Sequence, residues 1–381
     1  MAYQNLKKLL ELLFVDVGFH HWFPAYLWSR TIRSRPQSET EEPIHIMFCL
    51  VDHYEPFHGG VDFNTANKRV KTWEKNYPIM AENHRDSDGN PPKHTWFYPP
   101  HLDHCFLNEL AELCQHGFGE IEMHLHHNRM HPFPDTSKTL TEKIMKCISD
   151  YSKHGIFCLP DGSKKFAFIH GDWSLDNSLG AHICGVNDEI KILRDTGCYA
   201  DFTYPSLGKA QPAFMNRIYY VKDDPNKPKS YSSGKEVKVG SKPWGDLLLI
   251  PGILGIRKIR RNGRLKWALE ASDLDGMFSP DEERIDYWVA NALTVRGKPN
   301  WKFIKLHTHG AVESRWKSLL FEGADSMYHY LAEKYDDREN YFLHYVTARE
   351  LYNIIKAAEN GEHGNPNYFR DYEIARYTYL D

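Results

Sequence analysis

The chain lacks most of the features that place a protein at a glance. Its seven cysteines (Cys49, Cys105, Cys114, Cys147, Cys158, Cys184 and Cys198) form no Cys-x-x-Cys pair and are odd in number. That excludes a disulfide framework and a zinc ribbon. Scattered through apolar runs, they read as buried thiols of a reducing compartment. Positive charge is not in excess either: 47 Lys and Arg stand against 51 Asp and Glu, a formal net charge of −4. A general nucleic-acid binder needs a basic surface, so no nucleic-acid partner is expected. No apolar run is long enough to cross a bilayer, because Lys7, Lys8, Glu11, Asp16 and His20–His21 interrupt the stretch Leu6–Trp28. No secretory signal pattern, internal repeat or low-complexity tract is present. The expected location is cytoplasmic. Residues 6–28 read either as an amphipathic helix docked on the protein's own body or as a peripheral membrane contact, with Trp22, Tyr26 and Trp28 at the interface.

What the chain does have is aromatic side chains, at 14%, and 22 histidines among 381 residues. Most of the aromatics are expected in the core. A minority suit sugar rings, whose C–H faces stack on π-systems, and the histidines raise the prospect of a metal site. The organisation read from the pattern is an N-terminal amphipathic segment and linker (1–42), a main body (43–360) and a C-terminal tail (361–381). Within the body, strands are expected at Ile44–Asp52, His94–Tyr98, Glu120–His126, Lys165–His170, Tyr199–Tyr204, Leu247–Pro251 and Trp301–His307. Amphipathic segments alternate with them, the signature of an α/β protein with a parallel sheet. Seven strands suit a distorted (β/α)7 barrel. Residues 205–275 break the alternation and read as an insertion. Asn262-Gly263 marks a tight hairpin there, amid Arg257, Lys258, Arg260, Arg261, Arg264 and Lys266. That basic hairpin is either a solvated face or a seat for an anionic sugar or lipid headgroup.

In parallel α/β folds chemistry collects where the strands end. Polar residues cluster at those ends: Asp52, His53 and Glu55; His124, His126 and His127; His170 and Asp172; His307 and His309. Three histidines in four positions can present imidazoles to one divalent cation, together with carboxylate oxygen. A buried strand ending in Asp-His and then Glu is not a packing pattern, since carboxylates avoid such places unless paired or metal-bound. Asp52 is a candidate general base and His53 a candidate ligand. Glu55 is either a ligand or an acceptor that orients a histidine. In Ile169-His170-Gly171-Asp172-Trp173, continued by Asn177, the polar groups suit a sugar and Trp173 its ring face. His307 is placed to protonate a leaving group.

Taken in order, these motifs resemble the polysaccharide-deacetylase-like superfamily (NodB homology, carbohydrate esterase family 4-like), over about residues 43–310. Leu50-Val51-Asp52-His53-Tyr54 falls where that family has Thr-Phe-Asp-Asp-Gly, which implies Asp52 as base and His53 as metal ligand. Gly119-Glu120-Ile121-Glu122-Met123-His124 resembles the first half of its histidine motif. The second histidine position falls on Asn128, a departure that leaves His127 or His126 to substitute. The family's arginine motif is absent, with His170-Gly171-Asp172-Trp173 in its place. Ile304-Lys305-Leu306-His307 resembles the segment carrying the proton-donating histidine.

The resemblance implies a hydrolase, dependent on a divalent metal with zinc favoured by the histidine-rich donors, that removes an acyl group, N-acetyl foremost. The expected substrate is a polysaccharide or sugar precursor, as in exopolysaccharide biosynthesis. Asp52 and His307 are the expected catalytic pair, His53, His124 and His127 the metal ligands. His126, Glu55, His170, Asp172, Trp173, Asn177 and His309 are expected against substrate. Two alternatives stand beside this: glycoside hydrolysis, using Asp52 or Glu55 with Asp172, and a non-catalytic glycan-binding or scaffold protein of polysaccharide assembly.

Overall fold

Strand β1 (Ile44–His53) is buried along nearly its whole length on both faces. Such a strand needs a layer on each side, the situation of a central strand in a parallel α/β sheet. The computed structural model describes residues 18–33, 42–100, 105–127, 134–261, 263–274 and 280–380. Before β1 lies helix α1 (Phe19–Arg33), and after it come α2 (Phe63–Glu82), β2 (His94–Tyr98), α3 (Leu107–Gln115), β3 (Gly119–Leu125) and α4 (Ser137–Tyr151). Next are β4 (Phe166–His170), α5 (Glu189–Asp195), β5 (Cys198–Asp201), β6 (Tyr219–Val221), β7 (Lys235–Glu236) and β8 (Leu247–Leu249). The hairpin β9 (Gly255–Arg261) and β10 (Arg264–Glu270) precedes α6 (Glu282–Asn291) and β11 (Trp301–Thr308). The chain ends through α7 (Trp316–Leu319), α8 (Glu322–Tyr335), β12 (Tyr341–Val346) and α9 (Ala348–Asn360).

The strands form a ten-stranded, mainly parallel sheet with the order β11-β1-β2-β3-β4-β5-β8-β6-β7. β1 carries β11 along one edge. On the other, Ile44–Cys49 pair with β12 and Leu50–His53 pair with β2. The registers bring the strand ends level: Val51 lies opposite His307, Asp52 opposite Thr308, and His124 opposite Ile169. Beyond β8 the sheet turns antiparallel through β6 and β7. Among the described residues no ladder joins β8 to β11, so the expected barrel is seen as a curled parallel sheet without demonstrated closure. The curl is physical: Lys305 of β11 donates from Nζ to the carbonyls of Phe202 and Tyr204, just past β5.

The stretch 205–275 is not a single insertion. Leu247–Leu249 pairs in parallel with β5 and is the seventh of the consecutive parallel strands. The β9–β10 hairpin alone forms a separate two-stranded sheet, with Arg261 opposite Arg264 across its turn. Asn262 of that turn lies outside the described residues. On α1, Trp22 and Tyr26 are buried against Met215 and Leu254, while Leu27 and Trp28 are exposed. Residues 6–17 of the expected membrane-contact segment, and 34–41 of the linker, lie outside the described residues. No described helix is long and apolar enough to cross a membrane. Residues 361–380 pack on the sheet: Ile374 and Tyr377 are buried, and Tyr377 donates to Glu122 of β3.

Candidate active site

Successive side chains of a strand point to opposite faces, and β1 shows what that does to the pair Asp52–His53. The His53 ring lies inside the curl of the sheet, with centroids 4.9 Å from His124, 4.8 Å from His309, 5.7 Å from Trp173 and 6.2 Å from His307. Asp52 points the other way. Its Oδ2 meets His94 Nε2 at 2.9 Å and its Oδ1 accepts from the Gly310 amide at 2.7 Å, beneath Trp73 of α2, whose indole donates to the Gly310 carbonyl. Burial raises the Asp52 carboxyl against the pull of His94 and Gly310. The carboxylate of Asp52, the expected base, thus ties β2 and the segment just past β11 to β1, on the face of β1 opposite the His53 ring.

Inside the curl, Glu55, His124 and His126 bring one donor atom each to within 4.8 Å of one another, and all three residues are buried. His124 uses Nδ1 on the Ile169 carbonyl at 3.0 Å, which makes Nε2 its ligating nitrogen. His126 sets Nδ1 3.3 Å from Asp172 Oδ2 and Nε2 3.1 Å from Glu55 Oε1. An outer partner that fixes tautomer and ring orientation in this way is the usual support of a metal-ligating histidine. The donor set therefore fits a divalent ion. Burial alone would raise Glu55, but its bonds from His126 and His58 hold the carboxyl well below the usual range. Burial works against a charged His126, and Asp172 and Glu55 outweigh it and lift that ring above its ordinary value. Gly171 belongs to the site by what it omits. A Cβ there would stand 2.3 Å from His126 Nδ1, so only glycine lets the ring lie where it does.

The open side is formed by Asp172, Trp173 and His309, all half-buried. Trp173 has its ring centroid 6.3 Å from that of His307 and 6.0 Å from that of His309. The loop that carries it is strained, with left-handed φ at Asp172, Trp173, Asp176 and Asn177. Non-glycine residues hold such angles only where the surroundings over-determine them. Here Asp176 donates its amide to Glu189 and accepts from the Ser230 amide, and Tyr204 donates its hydroxyl to the Trp173 carbonyl. The Asn177 side chain is committed to Asn187 and the Gly185 amide, so it holds the loop rather than facing the histidines.

The structure thus gathers His53, Glu55, His124, His126, Asp172, Trp173, His307 and His309, and sends four expected members elsewhere: Asp52, Asn177, His127 and His170. His127 and His170 face a separate buried group with Glu189 and Cys184. The expected metal trio of His53, His124 and His127 is split, because His126 and His127 leave the end of β3 in different directions. Asn128, the remaining contender, lies outside the described residues. Sequence reasoning missed Cys184, Glu189 and His94. The first two sit in no recognisable motif, and only the near-adjacent Cys-x-x-x-x-Glu beside a polar loop marks them.

No protein-family profile and no curated protein matches the chain. Among solved structures, the chain is similar to a provisionally assigned polysaccharide deacetylase from Mycobacterium smegmatis. That likeness has 12% identity, covers 87% of this chain and 96% of the other, and has a TM-score of 0.47. It is also similar to a 4-alpha-glucanotransferase from Thermococcus litoralis, with 13% identity, 81% of this chain, 38% of the other and a TM-score of 0.39. At these identities neither assigns a role to any residue of this chain.

Proposed function

We propose that the protein is a metal-dependent hydrolase that removes an acyl group, N-acetyl foremost, from a carbohydrate. The observation that carries this is the convergence of Glu55, His124 and His126 at the strand ends, each histidine oriented by a second partner. Two imidazoles and a carboxylate are a frequent ligand set of catalytic zinc, which keeps a further position open for water or substrate. When bound, the ion supplies Lewis-acid polarisation of the acyl carbonyl and makes water acidic near neutral pH.

The chain's own residues supply the rest. His53, held neutral by burial and by the nearby His309, His124 and His307, is the proton acceptor in this reading. His307 donates a proton to the departing amine, and Trp173 offers its face to the sugar ring. Asp52 acts by position, through Gly310 and His94.

The test is acetate release from N-acetylated oligosaccharides by the full-length protein, with metal content measured alongside. His124→Ala is expected to abolish both metal binding at Glu55, His124 and His126 and turnover. Unchanged activity in that variant would overturn the reading. Cleavage of glycosidic bonds that survives a chelator would replace it with glycoside hydrolysis through Glu55 and Asp172. Sugar binding with neither product would replace it with a glycan-binding role.

A further inference from the structure

We infer that His127, His170, Cys184 and Glu189 form a second metal site, four-coordinate and closed, which binds zinc and pins the loop 171–188 to the ends of β3 and β4. The donors come from four separate places: just past β3, the last residue of β4, the loop itself, and the first residue of α5. Their ligand atoms lie within 4.8 Å of one another, and every one of the residues is buried. One carboxylate stands at the centre. Glu189 Oε1 is 3.0 Å from His127 Nε2 and 3.4 Å from His170 Nε2, and Oε2 is 3.5 Å from Cys184 Sγ.

Tautomers make this group point to a cation. His170 Nδ1 faces the Gly171 carbonyl, which can only accept, so that nitrogen carries the hydrogen. In the neutral ring Nε2 is then a bare lone pair. It is fully buried, makes no hydrogen bond among the described residues and is aimed at a carboxylate oxygen. Two lone pairs facing each other in a dry site are costly, and an ion between them removes the cost. The opposite nitrogen of His127 lies 3.2 Å from Asp135 Oδ2, which Lys143 holds in turn at 2.6 Å. Each histidine thus has the outer partner that orients ligating imidazoles. Sulfur, nitrogen and oxygen donors in one tetrad suit zinc, and four protein ligands leave no open position, as in structural sites.

The consequence is mechanical. The same loop carries the left-handed residues Asp172, Trp173, Asp176 and Asn177, and Glu189 also accepts the Asp176 amide at 2.6 Å. A metal held by His170 before that strained segment and by Cys184 and Glu189 after it fastens both of its ends, and so sets the wall from which Asp172 and Trp173 face the first site. The inference stands on donors distinct from Glu55, His124 and His126, and so does not depend on the hydrolase reading.

The test uses full-length protein grown on zinc and, separately, on cobalt. His124→Ala, which removes a first-site ligand, is expected to keep one equivalent of metal and a near-ultraviolet thiolate-to-cobalt absorption. Cys184→Ser placed on that variant is expected to lose the band and most of the remaining metal. Should Cys184→Ser fail to fold, zinc-edge X-ray absorption of the His124→Ala protein decides, with one sulfur neighbour expected at about 2.3 Å. A zinc shell without sulfur, no metal in His124→Ala, or a band that survives Cys184→Ser would each overturn the site. Persistent activity in His124→Ala would count against the hydrolase reading alone.

Discussion

The Asp52 carboxylate and the His94 imidazole meet at 2.9 Å with neither side chain exposed to solvent. This pair, rather than a free carboxylate, is what β1 delivers at the position where the motif order implies a base. Asp52→Asn keeps the shape and an acceptor for the Gly310 amide but removes the charge facing His94. We expect it to fold with about 1–3 kcal/mol less stability, to retain its metal, and to lose no more than about tenfold in kcat. Removing a general base costs about 10²–10⁴ in rate. A loss of that size, with the acid limb of the pH–rate profile flattened, would return the base role to Asp52.

The contact between Gly171 and His126 gives a second prediction. A methyl group at 171 cannot share space with the His126 ring, so Gly171→Ala must turn the ring away from Glu55. Loss of an orienting contact typically costs about 10–100-fold in metal affinity. We expect that loss at the first site in competition titrations with a chelating dye, with the thermal transition nearly unchanged. Glu55→Gln should match it in direction, since a carboxamide is a poorer ligand than a carboxylate. Wild-type affinity in both variants would mean the ion is held elsewhere.

Much of this architecture was legible in the pattern. All seven expected strands exist within a few residues of their expected bounds, because continuous apolar runs ending in polar clusters are what buried parallel strands look like. β12 was not foreseen. Tyr341–Val346 is an apolar run between two helical patterns, and such a run does not by itself distinguish strand from helix. β6 and β7, of three and two residues, are too short to show a period. The site was legible as a set of strand ends, but not in its partition. Alternation along β1 already separates Asp52 from His53, whereas the divergence of His126 from His127 happens after β3 ends, where no period applies. Glu189 and Cys184 join only because α5 and the loop before it fold back, and that packing has no local signature.

Far from the histidine cluster, at the N-terminal end of β1, a chain of polar groups predicts how stability depends on pH. His45 Nδ1 lies 2.9 Å from His344 Nε2, and His344 Nδ1 lies 2.6 Å from Asp88 Oδ2. Burial and the neighbouring His344 hold His45 down at about 4, against an ordinary value of 6.5, and the more distant Asp88 only partly opposes them. Between those values the unfolded chain takes up a proton that the native imidazole refuses. Stability from this group is therefore full above pH 6.5 and falls as pH drops towards 4, by roughly 3 kcal/mol in all. Asp88, whose carboxyl is lowered chiefly by His344 and Asn365 against the effect of burial, loses its own contribution only below its ordinary 3.8, beneath this window. Other buried histidines titrate too, so the measurement is a difference. Urea unfolding of wild type and His45→Asn at pH 7 and pH 4.5 should show the variant less stable at neutral pH, with the gap narrowing or reversing in acid. A gap that stays constant across that range would remove His45 from the acid response of the fold.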